Sequence, residues 1–374
     1  MAGVYVHIPF CKTACSYCDF HFSTRLSEMS RMEGAIAEEW RMRMKEVANE
    51  SIRTLYFGGG TPSLMRPEFL AEMIVKVFGQ IPDSQHAEIT LEVNPDDVTI
   101  EMASEWKIAG VNRVSIGVQS FDDSILQWMK RPHNANRAMQ AIQYLKQSGF
   151  NNITMDLIYG IPGMSMDLWQ EQIEIFLSLQ LSHLSAYCLT AEQRTLYGTQ
   201  VDKGLAPAVN QDNASDQYLM MVNQLAAAGF RQYEVSNFSL PGHESKHNSA
   251  YWSGIPYMGI GPSAHSFNGM LRRWNVSNNH SYMRAIETHL PFSESEELTP
   301  QNRINEHLLI GLRTAKGLDL QLLKSEYGWA PDDAASARMK RLCAEGKAFW
   351  EDDFFRLSPE GLLMADATAR DMFV

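Results

Sequence analysis

The stretch VYVHIPFCKTACSYCDF, Val4 to Phe20, places three cysteines, Cys11, Cys15 and Cys18, within eight residues directly after a β-like run. The spacing C-x₃-C-x₂-C gathers three thiols on one short loop. Thiolate clusters of this kind bind zinc or an iron–sulfur cluster. A structural zinc ion wants a fourth protein ligand, and His7 and His21 are near enough in sequence to offer one. A four-iron cube held by three thiolates instead leaves one iron open to a substrate or cofactor. A plain redox loop is the remaining reading. The other two cysteines, Cys188 and Cys343, stand alone and read as small core hydrophobes.

Outward from this loop the chain alternates. β-rich runs at Val4–Ile8, Ile52–Phe57, Glu88–Val93, Arg113–Val118, Ile153–Tyr159 and Leu184–Leu189 are separated by helical patterns. That order predicts a parallel sheet with right-handed crossovers. The runs are rich in Val, Ile and Leu, as in strands covered on both faces. Glycines and polar residues follow the strands: the cysteine loop, then GGGTP at Gly58–Pro62, EVNP at Glu92–Pro95, GVQSF at Gly117–Phe121 and DLIYGIPG at Asp156–Gly163. In α/β barrels the strand C-terminal rim is where ligands bind. The expected fold is an incomplete (β/α)₆ barrel over residues 1–190, an extension over 191–297, and an α-rich, winged-helix-like domain over 298–374. The stretch Ser293–Pro300 reads as a linker.

The 374 residues, 45% hydrophobic and 20% charged, suit a soluble globular protein. A net charge of −12 argues against bulk nucleic-acid binding. The C-terminal stretch from Leu298 has ten Lys/Arg against twelve Asp/Glu, and its hairpin reads WEDDFF, so DNA binding by the wing is not expected. The N-terminus lacks a basic n-region and is interrupted by His7 and Pro9, so it does not read as a signal peptide. No run reaches the roughly 18 apolar residues of a membrane span. The expected compartment is the cytoplasm.

The cysteine loop after the first strand and GGGTP after the second together resemble the radical S-adenosylmethionine (SAM) superfamily. The resemblance covers about Val4 to Leu189. It implies a [4Fe–4S] cluster on Cys11, Cys15 and Cys18, SAM on the open iron, and an electron donor for the cluster. The strings YVHIPFC, GGGTPS, EVNPDDV, GVQSFDD and MDLIYGIPG, in that order, are similar to the group containing oxygen-independent coproporphyrinogen III dehydrogenase. Carried over residue by residue, the group's SAM contacts fall on Gly59, Gly60 and Thr61, whose backbone N–H groups are expected to face the amino-acid part of SAM. They also fall on Glu92, Gln119, Arg131 and Asp156, with Tyr5 and Tyr17 flanking the cluster loop. Arg131 suits a carboxylate and Asp156 a ribose diol.

The dehydrogenase carries a further cysteine two positions after the third, where this chain has Phe20, and an N-terminal arm where only ten residues precede Cys11. The CDF ending and HNSAYW at His247–Trp252 instead resemble the heme chaperone family HemW. That resemblance implies heme as ligand, a heme-acceptor protein as partner, no catalytic residue of its own, and His247 as the heme-iron ligand. His243 and His265 are weaker candidates for the iron, and Arg272 and Arg273 are candidates for the heme propionates. The alternative is oxidative decarboxylation of coproporphyrinogen III.

Overall fold

The protein was analysed as a computed structural model that describes residues 2–82 and 86–374. Six parallel strands appear where the sequence places them: β1 (Ala2–Ile8), β2 (Ile52–Gly59), β3 (Glu88–Val93), β4 (Arg113–Gln119), β5 (Ile153–Tyr159) and β6 (His183–Cys188). The helices between them begin where Thr99, Asn134 and Ser165 accept a first-turn N–H. Such caps satisfy amides that the helix itself leaves open. Two of the helices end at left-handed glycines, Gly79 and Gly110.

The later strands extend this sheet at both edges. They are β7 (Arg231–Glu234), β8 (Asn237–Ser239), β9 (Tyr257–Ile260), β10 (His265–Phe267), β11 (Leu271–Asn275) and β12 (Ser293–Glu297). The order is β12-β11-β10-β9-β1-β2-β3-β4-β5-β6-β8-β7. β9 lies parallel to β1, with Val4 opposite Met258, and adds a seventh parallel strand that the βα rhythm does not reveal. The presumed linker is in fact the edge strand β12, paired antiparallel with β11. Its sequence, SESEE, has no apolar face because it is exposed, and charge on an edge discourages further strand pairing.

The barrel interior differs from a packed barrel core. Along each strand successive side chains alternate between faces. Val4, Val6 and Ile8, Leu55 and Phe57, Ile89, Leu91 and Val93, and Val114, Ile116 and Val118 are buried in the hydrophobic core. The residues between them include Tyr56, Thr90, Glu92, Arg113, Ser115, Thr154, Asp156, Ser185 and Tyr187, and these line an internal chamber of about 40 Å³. The strands are therefore apolar on one face and polar on the other. They are rich in Val, Ile and Leu as expected, but these gather on one face in a period-two pattern, and the inside of the barrel is a polar site.

A buried polar node ties the first long helix, Met29–Arg43, to the β9–β11 edge. Glu39 is fully buried and accepts from Arg43 Nη1 at 2.6 Å, Asn275 Nδ2 at 2.8 Å, Gly261 N at 2.8 Å and the Tyr282 hydroxyl at 2.6 Å.

Helices Pro300–Arg313, Leu320–Tyr327 and Asp333–Ala344 pack with β13 (Leu318–Asp319), β14 (Ala348–Glu351) and β15 (Phe354–Leu357), in the order β13-β15-β14. This is the winged-helix arrangement expected. It joins the barrel through Val235 N to Arg313 O at 3.0 Å and Ala315 N to Tyr233 O at 3.1 Å. Among the described residues no helix is long and apolar enough to cross a membrane.

Candidate functional site

A cavity of about 1040 Å³ opens at the strand C-terminal rim. Cys11, Cys15 and Cys18 line it, with Tyr17, Gly59, Gly60, Thr61, Glu92, Gln119, Arg131 and Asp156. Residues from five strand ends and the cysteine loop thus meet at one place.

The loop is held by its backbone. Cys11 N donates to Ser23 O at 3.1 Å, Ser16 N to Met129 O at 3.1 Å, and Tyr197 N to Ser16 O at 2.8 Å. The glycine turn presses against it: Gly60 N donates to Ile8 O at 2.8 Å and Thr61 N to Phe10 O at 2.7 Å. A Cβ at Gly60 would lie 2.6 Å from Phe10 O, so only glycine permits this approach. Gly59 N donates to Glu92 Oε2 at 3.1 Å. The three amides expected to face a cofactor are therefore already bonded within the protein. The turn serves instead to seat the cysteine loop and to orient Glu92.

Burial pushes the Cys11 thiol up to about 12, and burial likewise raises Cys18. The neighbouring thiols add to both shifts. A metal centre loading here must displace protons, which the shared low-dielectric position favours only when a cation compensates. His7 does not join the cysteines: its Nε2 bonds His21 O at 2.8 Å and its Nδ1 the Tyr5 hydroxyl at 3.2 Å. His21 Nε2 bonds Asn279 Oδ1 at 2.7 Å. The fourth-ligand reading for zinc has no support from either ring.

Arg131 spans the site. Its Nη1 reaches Cys15 Sγ at 3.5 Å, and its Nη2 donates to Asn94 Oδ1 and Gly117 O, both at 2.7 Å. Its Nε is buried and has no hydrogen-bond partner among the described residues, while the residue as a whole lines the cavity. Asn94, overlooked as a site residue, lies in the EVNP string itself, and its Nδ2 also bonds Thr61 Oγ1 at 3.1 Å. Gln119 has φ +68°, and the β4–β5 register shifts between Gly117 and Gln119. This bulge turns the side chain toward the cavity, where it is one of the lining residues.

The two acids sit deeper. Glu92 accepts from the Tyr56 hydroxyl at 2.8 Å, and Asp156 from Ser115 Oγ at 3.2 Å. Burial raises each to about 7, and Asp156 raises Glu92 further by like-charge repulsion.

The outer wall comes from the C-terminal domain, through residues that motif reading did not name individually. Leu362, Leu363, Met364 and Ala365 line the cavity, with Arg313 and Arg370 beside them. Arg313 pairs with Asp366 at 3.4 Å, whereas Arg370 has no ion-pair partner among the described residues. Phe20, at the position of the missing cysteine, is 70% exposed at the cavity edge.

Two expected site residues do not reach this cavity. Tyr5 lies below it, bonded to His7. His247 is buried near the strand N-termini, its Nδ1 2.7 Å from Thr54 Oγ1 and its Nε2 2.9 Å from the Tyr251 hydroxyl. Burial lowers it to about 3, and with both nitrogens engaged the ring offers no lone pair to iron in this conformation. His243 and His265 also lie outside the lining. Arg272 pairs with Glu306 at 2.6 Å and Arg273 with Glu46 at 3.2 Å, both away from the cavity.

The radical SAM superfamily profile matches residues 5–174, and that of the HemN C-terminal domain matches residues 298–364. A heme chaperone HemW of Bacillus subtilis is 31% identical over 98% of this chain and 97% of its own length. The heme chaperone HemW of Mycobacterium tuberculosis (strain H37Rv) is 33% identical over 99% and 94%. A mitochondrial radical S-adenosyl methionine domain-containing protein 1 of Mus musculus is 32% identical over 98% and 86%. The solved coproporphyrinogen III oxidase HemN from Escherichia coli superposes with a TM-score of 0.84 at 19% identity, over 100% of this chain and 90% of the other, a likeness of fold. A three-cysteine loop seated by a glycine turn at the mouth of a partial barrel, matched along nearly the whole chain, leaves one assignment: the chain belongs to the radical SAM superfamily and, within it, to the HemW family.

Proposed function

We propose that the protein is a heme chaperone that holds a [4Fe–4S] cluster and SAM in the barrel mouth, binds heme beside them and passes it to an acceptor protein. The observation that carries this reading is the shared cavity. It lies at the upper end of ordinary ligand sites, about 300–1,000 Å³, and joins a thiol-rich half to an apolar half bearing two arginines. The names of the near-full-length relatives support it.

The donor set fits the cluster. Cys11, Cys15 and Cys18 supply three thiolates, and a cube bound this way offers an open iron and one-electron chemistry. Arg131 offers its guanidinium charge to the SAM carboxylate, while Gln119, Glu92 and Asp156 meet its polar groups. Leu362, Leu363 and Met364 cover an apolar macrocycle face, with Arg313 and Arg370 placed for its carboxylates. His247 has no part in iron ligation in this reading. Redox use of the cluster needs an electron donor, and delivery needs a protein that accepts heme.

Anaerobic heme titration of the cluster-reconstituted protein should saturate near one heme per chain. The Arg313→Ala/Arg370→Ala double variant should weaken binding by roughly tenfold or more, the effect of losing charge-assisted bonds. Unsaturable heme uptake together with SAM-dependent decarboxylation of coproporphyrinogen III would overturn the chaperone and favour the dehydrogenase.

SAM binding should also depend on pH. Glu92 and Asp156, each raised to about 7, are largely protonated at pH 6 and ionised at pH 8. The cationic cofactor favours the ionised forms, so affinity should rise across that window with proton release on binding. Calorimetry in buffers of different ionisation enthalpy measures both. For the ligand-free protein the sign reverses. Raised carboxyl values make the folded state bind more protons than the unfolded chain, so this pair's contribution to stability is lost as pH rises through 7.

A further inference from the structure

The HNSAYW segment does not face the cavity, yet it connects to it. It forms the helix Lys246–Trp252, whose start is set by Ser245 capping Asn248 N. The amides of Lys246 and His247 donate to the Glu88 carboxylate at 3.1 and 2.9 Å. Three neighbours of this helix start lie near the beginnings of barrel strands: Gly3 of β1, Thr54 of β2 and Glu88 of β3. Arg113, first in β4, holds His243 O just upstream at 3.3 Å. A Cβ at Gly3 would meet the His247 ring at 3.3 Å. The segment therefore closes the barrel from below, and Asn248 and Ser245 line the inner chamber together with Glu92 and Asp156.

From this floor a continuous path leads up to the rim. The His247 ring stacks on Tyr56, with centroids 5.0 Å apart and an interplanar angle of 27°. The Tyr56 hydroxyl holds Glu92 Oε1, and Glu92 Oε2 holds Gly59 N in the glycine turn. That turn seats the cysteine loop through Gly60 and Thr61. Rings and bonds with one arrangement each transmit position across a packed interior.

We propose that His247 is a positioning residue for the SAM chamber: fixed by Thr54 and Tyr251, it supports Tyr56, which orients Glu92 toward the cofactor. The proposal rests on the cofactor reading above and gives the HNSAYW histidine a role other than iron ligation. Asn248 completes the same floor beneath the two acids.

The test is SAM and heme titration of the full-length, cluster-reconstituted protein in wild type and three variants. Tyr56→Phe keeps the stack but removes the bond to Glu92. His247→Phe keeps a ring beneath Tyr56 but removes both histidine bonds, and His247→Ala removes ring and bonds together. SAM affinity should fall roughly tenfold in Tyr56→Phe and His247→Ala, as expected for a lost hydrogen bond to a carboxylate. It should stay within about threefold of wild type in His247→Phe, although both His247 variants lower the melting temperature through unpaired Thr54 and Tyr251 hydroxyls. A purely structural role would track melting temperature and could not separate alanine from phenylalanine in this way.

The pH profile gives a second readout. Glu92 is faced by Tyr56, the Gly59 amide, Asp156 and the phenols of Tyr5, Tyr187 and Tyr251. The Tyr56 bond favours its ionised form, so Tyr56→Phe should move the midpoint of SAM binding to higher pH.

Heme binding should survive in all three variants. Loss of heme with unchanged SAM affinity in His247→Ala would overturn the proposal and make the ring an iron ligand. Equal SAM affinity in all four proteins would also overturn it, and so would an unshifted profile in Tyr56→Phe. Should His247→Ala fail to fold, Tyr56→Phe and His247→Phe still decide. Failure of the wild type to bind SAM would instead remove the cofactor reading, and this inference with it.

Discussion

Replacing Cys15 with alanine is expected to leave a folded protein that carries almost no cluster. Two thiolates cannot hold a cube that three barely complete, so iron per chain after anaerobic reconstitution should fall by roughly tenfold or more. The broad visible absorption of the cluster should be lost, and SAM binding with it. The fold should survive because the loop is held by its backbone and not by the side chain. The amides of Cys11, Ser16 and Thr61 all bond carbonyls outside the cysteine side chains. Cys15 itself is only partly buried. Cys343→Ala is the matching control: that thiol lies in the C-terminal domain, apart from the cavity lining, and its loss should leave iron content unchanged. Retention of iron and SAM binding by Cys15→Ala would refute the assignment of the loop. Loading should also improve with rising pH, since burial holds the free Cys11 and Cys18 thiols protonated at neutrality.

Loss of the Glu39 carboxylate should be the most damaging single change to stability. Its two oxygens accept from four donors: Arg43, Asn275, the Gly261 amide and Tyr282. Glu39→Ala would remove the buried carboxylate partner of Arg43, itself only 3% exposed, leaving that guanidinium the half-exposed Glu46 as its remaining ion-pair partner, and would unpair the Gly261 amide and the Tyr282 hydroxyl. Breaking a buried pair by removing one partner costs about 3–5 kcal/mol. Glu39→Gln should not rescue it, because the amide nitrogen would face two donors in place of an acceptor. Urea denaturation should show a lower midpoint for both variants. A cost below about 1 kcal/mol in Glu39→Ala would mean the node is dispensable. The damage should centre on the β9–β11 edge, since Gly261 and Asn275 are anchored there and β9 flanks β1 next to the cysteine loop.

Much of this molecule can be read along the chain. The cysteine spacing, GGGTP and EVNP are local strings, and the βα alternation puts each at the end of a strand. In a parallel barrel all strand ends share one rim, so local order alone brings Cys11, Cys15, Cys18, Thr61, Glu92, Gln119, Arg131 and Asp156 together. The polar inner face could also be read there, from alternations such as Glu88-Ile-Thr-Leu-Glu92.

Other features depended on groups far apart in sequence. The amides of Gly59, Gly60 and Thr61 look free in a glycine turn until β1 and Glu92 are seen to occupy them. His247 has the residue type for iron, but pairing with Thr54 and Tyr251 uses both nitrogens. Nothing within HNSAYW says that this helix enters the barrel from below. The sequence alone determined the barrel, its rim and the chemistry gathered on it. Only the tertiary structure decided which of those groups remain free to bind, because hydrogen-bond capacity is consumed by neighbours that long-range pairing supplies.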